Sequence, residues 1–192
     1  MPDKYREKFE EIAEQFVELK DTSELMMDLA YSSLLLNSKE LAKDVQKLEE
    51  HVDELHTEFE LAVLSSGFHE KETKGLLGLI RLGVVTEKIA DSAAEISEVV
   101  LRGIEPHPVL KLAIEEAEET VTYMQVTKHS ELANKTLRKA CIPEKTGMWV
   151  LAIRREGRYV RPKPNAEIKA GDILIASGYA DGESDLKRLA SP

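Results

Sequence analysis

The sequence predicts a two-part α + α/β fold: an antiparallel three-helix bundle over residues 1–105, a linker helix over 106–120 and a small α/β domain over 121–192. Three observations carry this prediction. Apolar residues in the first hundred positions recur at alternating steps of three and four, the stripe of an amphipathic helix. After Pro106 and Pro108, β-branched residues and period-two alternation take over. Charge changes sign at the same place: residues 1–105 hold 24 acidic and 12 basic side chains, net −12, and residues 121–192 hold 8 and 13, net +5.

The first helix is expected over residues 3–36, following Tyr5, Phe9, Ile12, Phe16 and Leu19. Asp21 and Glu24 there can form a capping box that breaks or kinks it. Asn37 followed by Glu40 signals a new start. The seam of the second helix is Leu41, Val45, Leu48, Val52, Leu55, Phe59 and Ala62, ended by Gly67. A third runs from about Thr73 through Leu79, Val85, Ile89 and Ile96 to a stop at Gly103, Pro106 and Pro108. Three is the fewest helices that can close a core, and short connections make neighbours antiparallel. A linker helix follows over Val109–Glu119. In the remainder, strands are expected at Val121–Lys128, Met148–Arg154, Arg158–Arg161 and Asp172–Ser177. A helix capped by Ser130 is expected over 131–140, a Glu156-Gly157 turn between the middle strands, and a last helix over Asp181–Leu189.

Composition excludes several classes. The single cysteine, Cys141, rules out an internal disulfide and a thiolate metal cluster. No run of about 18 apolar residues is present, so no membrane-spanning helix is expected. The first residues lack the pattern of a signal peptide. The expectation is a cytoplasmic protein. The basic half lacks the interleaved aromatics of a stacking platform, so no nucleic acid is expected. No Ser/His/Asp or Cys/His arrangement points to catalysis, and the expectation is a protein that is not an enzyme.

Two acidic pairs stand out. Glu49 and Asp53 lie four residues apart on the second helix, and Glu87 and Asp91 repeat the spacing on the third. If the two faces meet, their carboxylates repel, and protonation or a bound cation relieves the repulsion. A hard divalent ion suits such donors, and iron or zinc would suit them with a nitrogen from His51 or His56. Helices whose acidic residues simply face water show the same spacing. A metal-dependent hydrolase is a third way to use such a cluster.

The stretches Leu25-Met-Met-Asp-Leu-Ala-Tyr-Ser-Ser, Glu49-Glu-His-Val-Asp53 and Thr86-Glu87-Lys-Ile-Ala-Asp91 resemble the three-helix repeat of the PhoU family over roughly residues 5–103. The resemblance implies metal binding, iron included, at Glu49, Asp53, Glu87 and Asp91. PhoU proper has two repeats and this chain one, so the resemblance implies that a complete site needs a second subunit.

The second half resembles the C-terminal domain of TrkA-type proteins, the later half of RCK modules. Glu131-Leu-Ala-Asn-Lys-Thr-Leu137, Gly147-Met-Trp-Val-Leu-Ala-Ile-Arg154-Arg155-Glu-Gly157, Pro164 and Lys169-Ala-Gly171-Asp172-Ile-Leu-Ile carry that resemblance. It implies a homodimer, a cation channel or transporter subunit as partner, and a small regulatory ligand. Arginine forks suit phosphate oxygens, which makes Arg154, Arg155 and Arg158 candidate ligands for a small anion such as a cyclic dinucleotide; an exposed basic strand that keeps the hairpin soluble is the other reading. No G-x-G-x-x-G occurs, so a nicotinamide cofactor is not expected. The function implied is a non-enzymatic regulatory or accessory protein of potassium or cation transport. The alternative is a PhoU-like metal-binding modulator of phosphate uptake.

Overall fold

The computed structural model describes residues 3–66, 73–103, 109, 112 and 119–191. The chain divides into two compact units, Met1–Ile104 and Glu105–Pro192. Gly67, the expected stop of the second helix, lies outside the described residues, as does nearly all of the expected linker helix.

The first unit is three long helices, α1 (Asp3–Leu35), α2 (Lys39–Ser65) and α3 (Thr73–Leu101). α1 runs through Asp21 and Glu24 without a break. Lys20 reaches both carboxylates along the helix surface, at 3.1 and 2.8 Å, so these residues brace the helix rather than cap a new one. α2 starts one residue later than the Asn37 signal: Ser38 is its N-cap, with the side chain accepting from the Leu41 amide, while Asn37 takes a left-handed turn at φ 47°. The core is aliphatic with one central aromatic. Leu19, Met26 and Leu29 of α1 are sealed together with Val45, Val52 and Phe59 of α2 and Ala90 and Ala93 of α3. Phe16 and Phe59 meet at 5.4 Å between ring centres with their planes tilted by 38°. Gly83 of α3 makes room for this pair, since a Cβ there would stand 2.8 Å from the Phe59 ring.

The second unit is built on a four-stranded antiparallel sheet in the order β1-β6-β3-β4, from β1 (Glu119–Gln125), β3 (Met148–Arg155), β4 (Arg158–Val160) and β6 (Ile173–Tyr179). A two-stranded ladder pairs β2 (Lys135–Thr136) with β5 (Glu167–Ile168). Short helices α4 (Leu137–Ala140), α5 (Ile142–Thr146) and α6 (Gly182–Ala190) complete it. One sheet face closes over Met148, Ile153, Leu174 and Ala176, with Ile142, Ile168 and Leu186 against them. The β3–β4 hairpin turns on Glu156 and Gly157, both with positive φ (51° and 78°), as a two-residue hairpin of right-handed twist requires.

The helix expected over 131–140 is replaced by turns. The Ser130 hydroxyl accepts from the Leu132 amide, two residues on, and donates to the Leu189 carbonyl at 2.7 Å, which anchors the segment to α6. Asn134 is left-handed (φ 61°), and its amide donates to the Ile168 carbonyl, starting the β2–β5 ladder. Only Leu137–Ala140 is helical, capped by Thr136. α6 begins with a glycine because Thr146 leaves no space: a Cβ on Gly182 would overlap the Thr146 carbonyl oxygen.

Candidate functional site

Two places bring together side chains with chemistry. In the bundle, α2 and α3 are antiparallel neighbours: the Gln46 amide donates to the Ala94 carbonyl (3.0 Å) and to the Ser97 hydroxyl (2.8 Å), while Phe59 lies against Gly83. Glu49 and Asp53 therefore stand level with Glu87 and Asp91, as the paired spacing requires. The faces share an electrostatic field. Partial burial raises the Glu49 carboxyl above its usual range, and the negative charges of Asp53, Asp91, Glu50 and Glu87 push it further. Donor chemistry suits a hard cation, but among the described residues no three histidine, cysteine, aspartate or glutamate side chains come close enough to hold one metal ion. The described bundle thus offers a cation a negative field and not a coordination shell. His51 and His56 turn to glutamates on their own helix, Glu54 at 3.9 Å and Glu60 at 3.5 Å.

A stronger perturbation lies on α1. Burial raises Asp28 from 3.8 to about 6, helped by the charge of Glu24 one turn earlier. The sequence reading did not single out Asp28, because a lone aspartate on a helix carries no pattern.

In the α/β unit the three hairpin arginines part company. Arg155 lies across from Arg158, and Arg154 across from Tyr159, so Arg154 projects from the other face of the strand pair. Arg155 has its fork engaged within the domain. Its Nε and Nη2 donate to the two carboxylate oxygens of Asp172, each at 2.7 Å, and Nη2 also donates to the Glu167 carbonyl. Asp172 has a side chain 1% exposed and accepts as well from the Lys169 amide. Burial alone would raise this carboxyl, but the Arg155 hydrogen bonds and the Lys169 amide hold it below its usual value. This pair locks β3 to the turn before β6 and explains the Gly171-Asp172 motif. Arg158 is exposed.

A concave surface of this unit lies elsewhere, in a groove of about 350 Å³. Its walls are Leu137, Ile142, Pro143, Trp149, Pro162 and Pro164, with Arg138, Cys141 and Glu144 as polar members. Trp149 is 53% exposed here. Apolar walls with a few charged groups at the rim are the usual makeup of a small-molecule site. Sequence inspection missed it because its parts come from four separated segments; the three prolines near one tryptophan were the available signal.

Comparison with known proteins agrees with both halves. The PhoU domain matches residues 16–100 and the TrkA-C domain residues 121–191. Two relatives from Methanocaldococcus jannaschii are each 37% identical: probable potassium channel protein 2 over 83 residues, 42% of this chain and 24% of the relative, and potassium channel protein 1 over 78 residues, 40% and 23%. The chain spans about a quarter of the length of these relatives. Among solved structures, the RCK_C domain dimer of S. agalactiae BusR in complex with c-di-AMP is 26% identical, covering 35% of this chain and 90% of that one with a TM-score of 0.33. No helix among the described residues is long and apolar enough to cross a membrane. The chain carries a PhoU domain followed by a TrkA-C domain.

Proposed function

We propose that this chain is a non-enzymatic regulatory or accessory protein of potassium or other cation transport, acting as a homodimer beside a channel or transporter subunit. The observation that carries the reading is the fusion itself: a TrkA-C domain in a chain similar to potassium channel proteins, joined to a PhoU bundle. The TrkA-C domain senses a small ligand and the bundle transmits or docks. A ligand acts here only through the difference in its affinity for two states of the protein. The deciding experiment is growth of a strain lacking the protein at limiting potassium and at limiting phosphate. A defect confined to low potassium supports the reading. A defect confined to low phosphate supports the alternative, a PhoU-like modulator of phosphate uptake, which the PhoU match over residues 16–100 favours. Metal content of the full chain before and after Glu87→Ala and Asp91→Ala tests whether the acidic faces hold an ion in that role.

For the ligand, the groove beside Trp149 and Arg138 is the binding surface, and a small anion such as a cyclic dinucleotide is its occupant. Trp149 is the one tryptophan in the chain, so its fluorescence reports directly on the groove. Titration with cyclic dinucleotides is expected to change that emission and to lose heat of binding in Arg138→Ala. Unchanged emission and no heat at millimolar ligand would remove this class of ligand. Arg158→Ala and Arg154→Ala, run alongside, separate the groove from the basic hairpin.

A further inference from the structure

α3 presents two apolar faces where the bundle uses one. The inner face, with Leu76, Ala90, Ala93 and Val100, is buried against the other two helices. A second row at alternating three- and four-residue steps carries Leu82, Val85, Ile89 and Val99, which are 51, 56, 43 and 46% exposed. From Gly75 to Val99 no charged residue interrupts this row, in a chain 32% charged.

The glycines of the row add an independent observation. Glycine inside a helix costs about 1 kcal/mol relative to alanine, so it marks a place that needs backbone exposed. Gly83 on the inner face is explained by the Phe59 ring. A Cβ at Gly75 or Gly78 would meet nothing within 4 Å. Nothing in the described bundle requires glycine at these positions, whereas close approach of another helix does.

We infer that α3 pairs antiparallel with α3 of a second copy of this chain, an inference that rests on the homodimer reading above and assigns its bundle contact. One register seats the whole row with small residues against large ones. Gly75 falls opposite Val99, and Gly78 opposite Ile96. Nearer the twofold axis, Leu82 falls opposite Ser92 and Val85 opposite Ile89. A parallel pair would instead set glycine on glycine at one end and bulk on bulk in the middle, leaving a void beside a clash. On the flank, the antiparallel register brings Arg81 of one copy beside Glu95 of the other, twice by symmetry, while Lys88 approaches its own counterpart at the axis. The exposed apolar residues of the other helices are few, Val17 and Tyr31 on α1 and Leu61 and Leu64 on α2, among exposed charges such as Glu24, Lys47, Glu50 and Glu54, so this uncharged row finds its match in itself. At 1.5 Å per residue the row is about 36 Å long and about 10 Å wide, roughly 400 Å² of footprint per copy. A standard interface buries about 800 Å² per partner, so the contact is concentration-dependent and not obligate.

The test uses the full chain in a Cys141→Ser background. Leu82→Cys and Ser92→Cys proteins, mixed and mildly oxidised, are expected to give a covalent heterodimer. Neither alone does so, because identical positions are separated by ten residues, about 15 Å, beyond disulfide reach. Self-crosslinking of Leu82→Cys would mean a parallel pair and overturn the inference. The Val85→Glu/Ile89→Glu double variant, both sites exposed, is expected to keep its helical circular dichroism and weaken self-association at least tenfold by sedimentation. Gly78→Ala separates association from folding: the helix melts higher while the dimer weakens. A wild-type dimer untouched by the glutamate variants and without the mixed cross-link overturns the α3 contact and leaves the homodimer standing; a chain monomeric at every concentration overturns both.

Discussion

The two units handle buried carboxylates in opposite ways. In the bundle, Asp28 and Glu49 sit among other acidic groups, and both are pushed toward the neutral form. In the α/β unit, Asp172 is more fully enclosed, yet it is held ionised by a guanidinium fork and a backbone amide. Burial has the same sign in both places; the partner decides the outcome. The bundle therefore holds carboxyls that burial, and after it repulsion, biases toward the protonated form, whereas the TrkA-C domain spends its one sealed charge on fixing the sheet. The proposed regulatory role would use both kinds of part, a frame that does not yield and a surface whose state follows its surroundings.

The largest expected effect breaks the frame. Asp172→Ala leaves Arg155 partly buried without its ion-pair partner, with only the charges of Glu167 and Glu156 acting on it, and frees the Lys169 amide, a change expected to cost about 3–5 kcal/mol. The loss falls in the α/β unit alone. It is read by denaturant unfolding followed at Trp149, which lies in that unit, while far-ultraviolet circular dichroism follows the bundle. Removing both partners, as in Arg155→Met with Asp172→Leu, is expected to cost less than either single loss, because no unpaired charge remains. A double variant as damaged as a single loss would mean that the pair's attraction, and not the orphaned charge, carries the energy, and one as damaged as the sum of the singles would mean that the two side chains act independently. Asp172 also sets an acid limit: its lowered value gives stability that is present above the ordinary aspartate range and is lost as pH falls through the folded value.

Asp28 carries the opposite sign. Its folded value of about 6 lies above the unfolded one, so between about pH 4 and 6 the native state binds more protons and bundle stability falls as pH rises. At pH 7 the ionised group is a net cost, on the order of 1–3 kcal/mol after allowance for its partial exposure. Asp28→Asn is expected to raise bundle stability by that order at pH 7 and by little at pH 4. A substitution equally neutral at both pH values would show that the carboxyl is solvated in the native state.

How much of this was legible in the sequence follows the length scale of each feature. The helices of the bundle were readable because Leu41, Val45, Val52 and Phe59 repeat one spacing over many turns, and tertiary packing enforces the same spacing. The facing of Glu49 and Asp53 with Glu87 and Asp91 followed from that antiparallel hairpin, although the distances between the carboxylates did not. Residues 131–146 were not readable. There Ser130 bonds two residues ahead and 59 residues away, Asn134 and Cys141 take left-handed conformations, and a two-residue strand shows no alternation to detect. The Arg155–Asp172 pair joins residues 17 apart with two short strands between them, so the sequence shows two charges and not their meeting.

The smallest expected effect sharpens the comparison at the acidic faces. Glu49 is raised by burial first and by four acidic neighbours after it, and it is half-buried, so solvent screens most of the repulsion. Glu49→Gln is expected to stabilise the bundle by a few tenths of a kcal/mol at low ionic strength and by less at 0.5 M salt. The contrast with Asp28→Asn is the informative quantity. A desolvation cost is indifferent to salt, while mutual repulsion fades with it; burial is the larger cause at both sites, so on adding monovalent salt the Glu49 gain, with four acidic neighbours, is expected to shrink in part and the Asp28 gain, with one, to shrink less. A divalent cation adds a further arm. If millimolar magnesium removes the Glu49 gain where the same ionic strength of sodium chloride does not, the acidic faces recognise the ion; if the two salts act alike, the faces exert only a diffuse field.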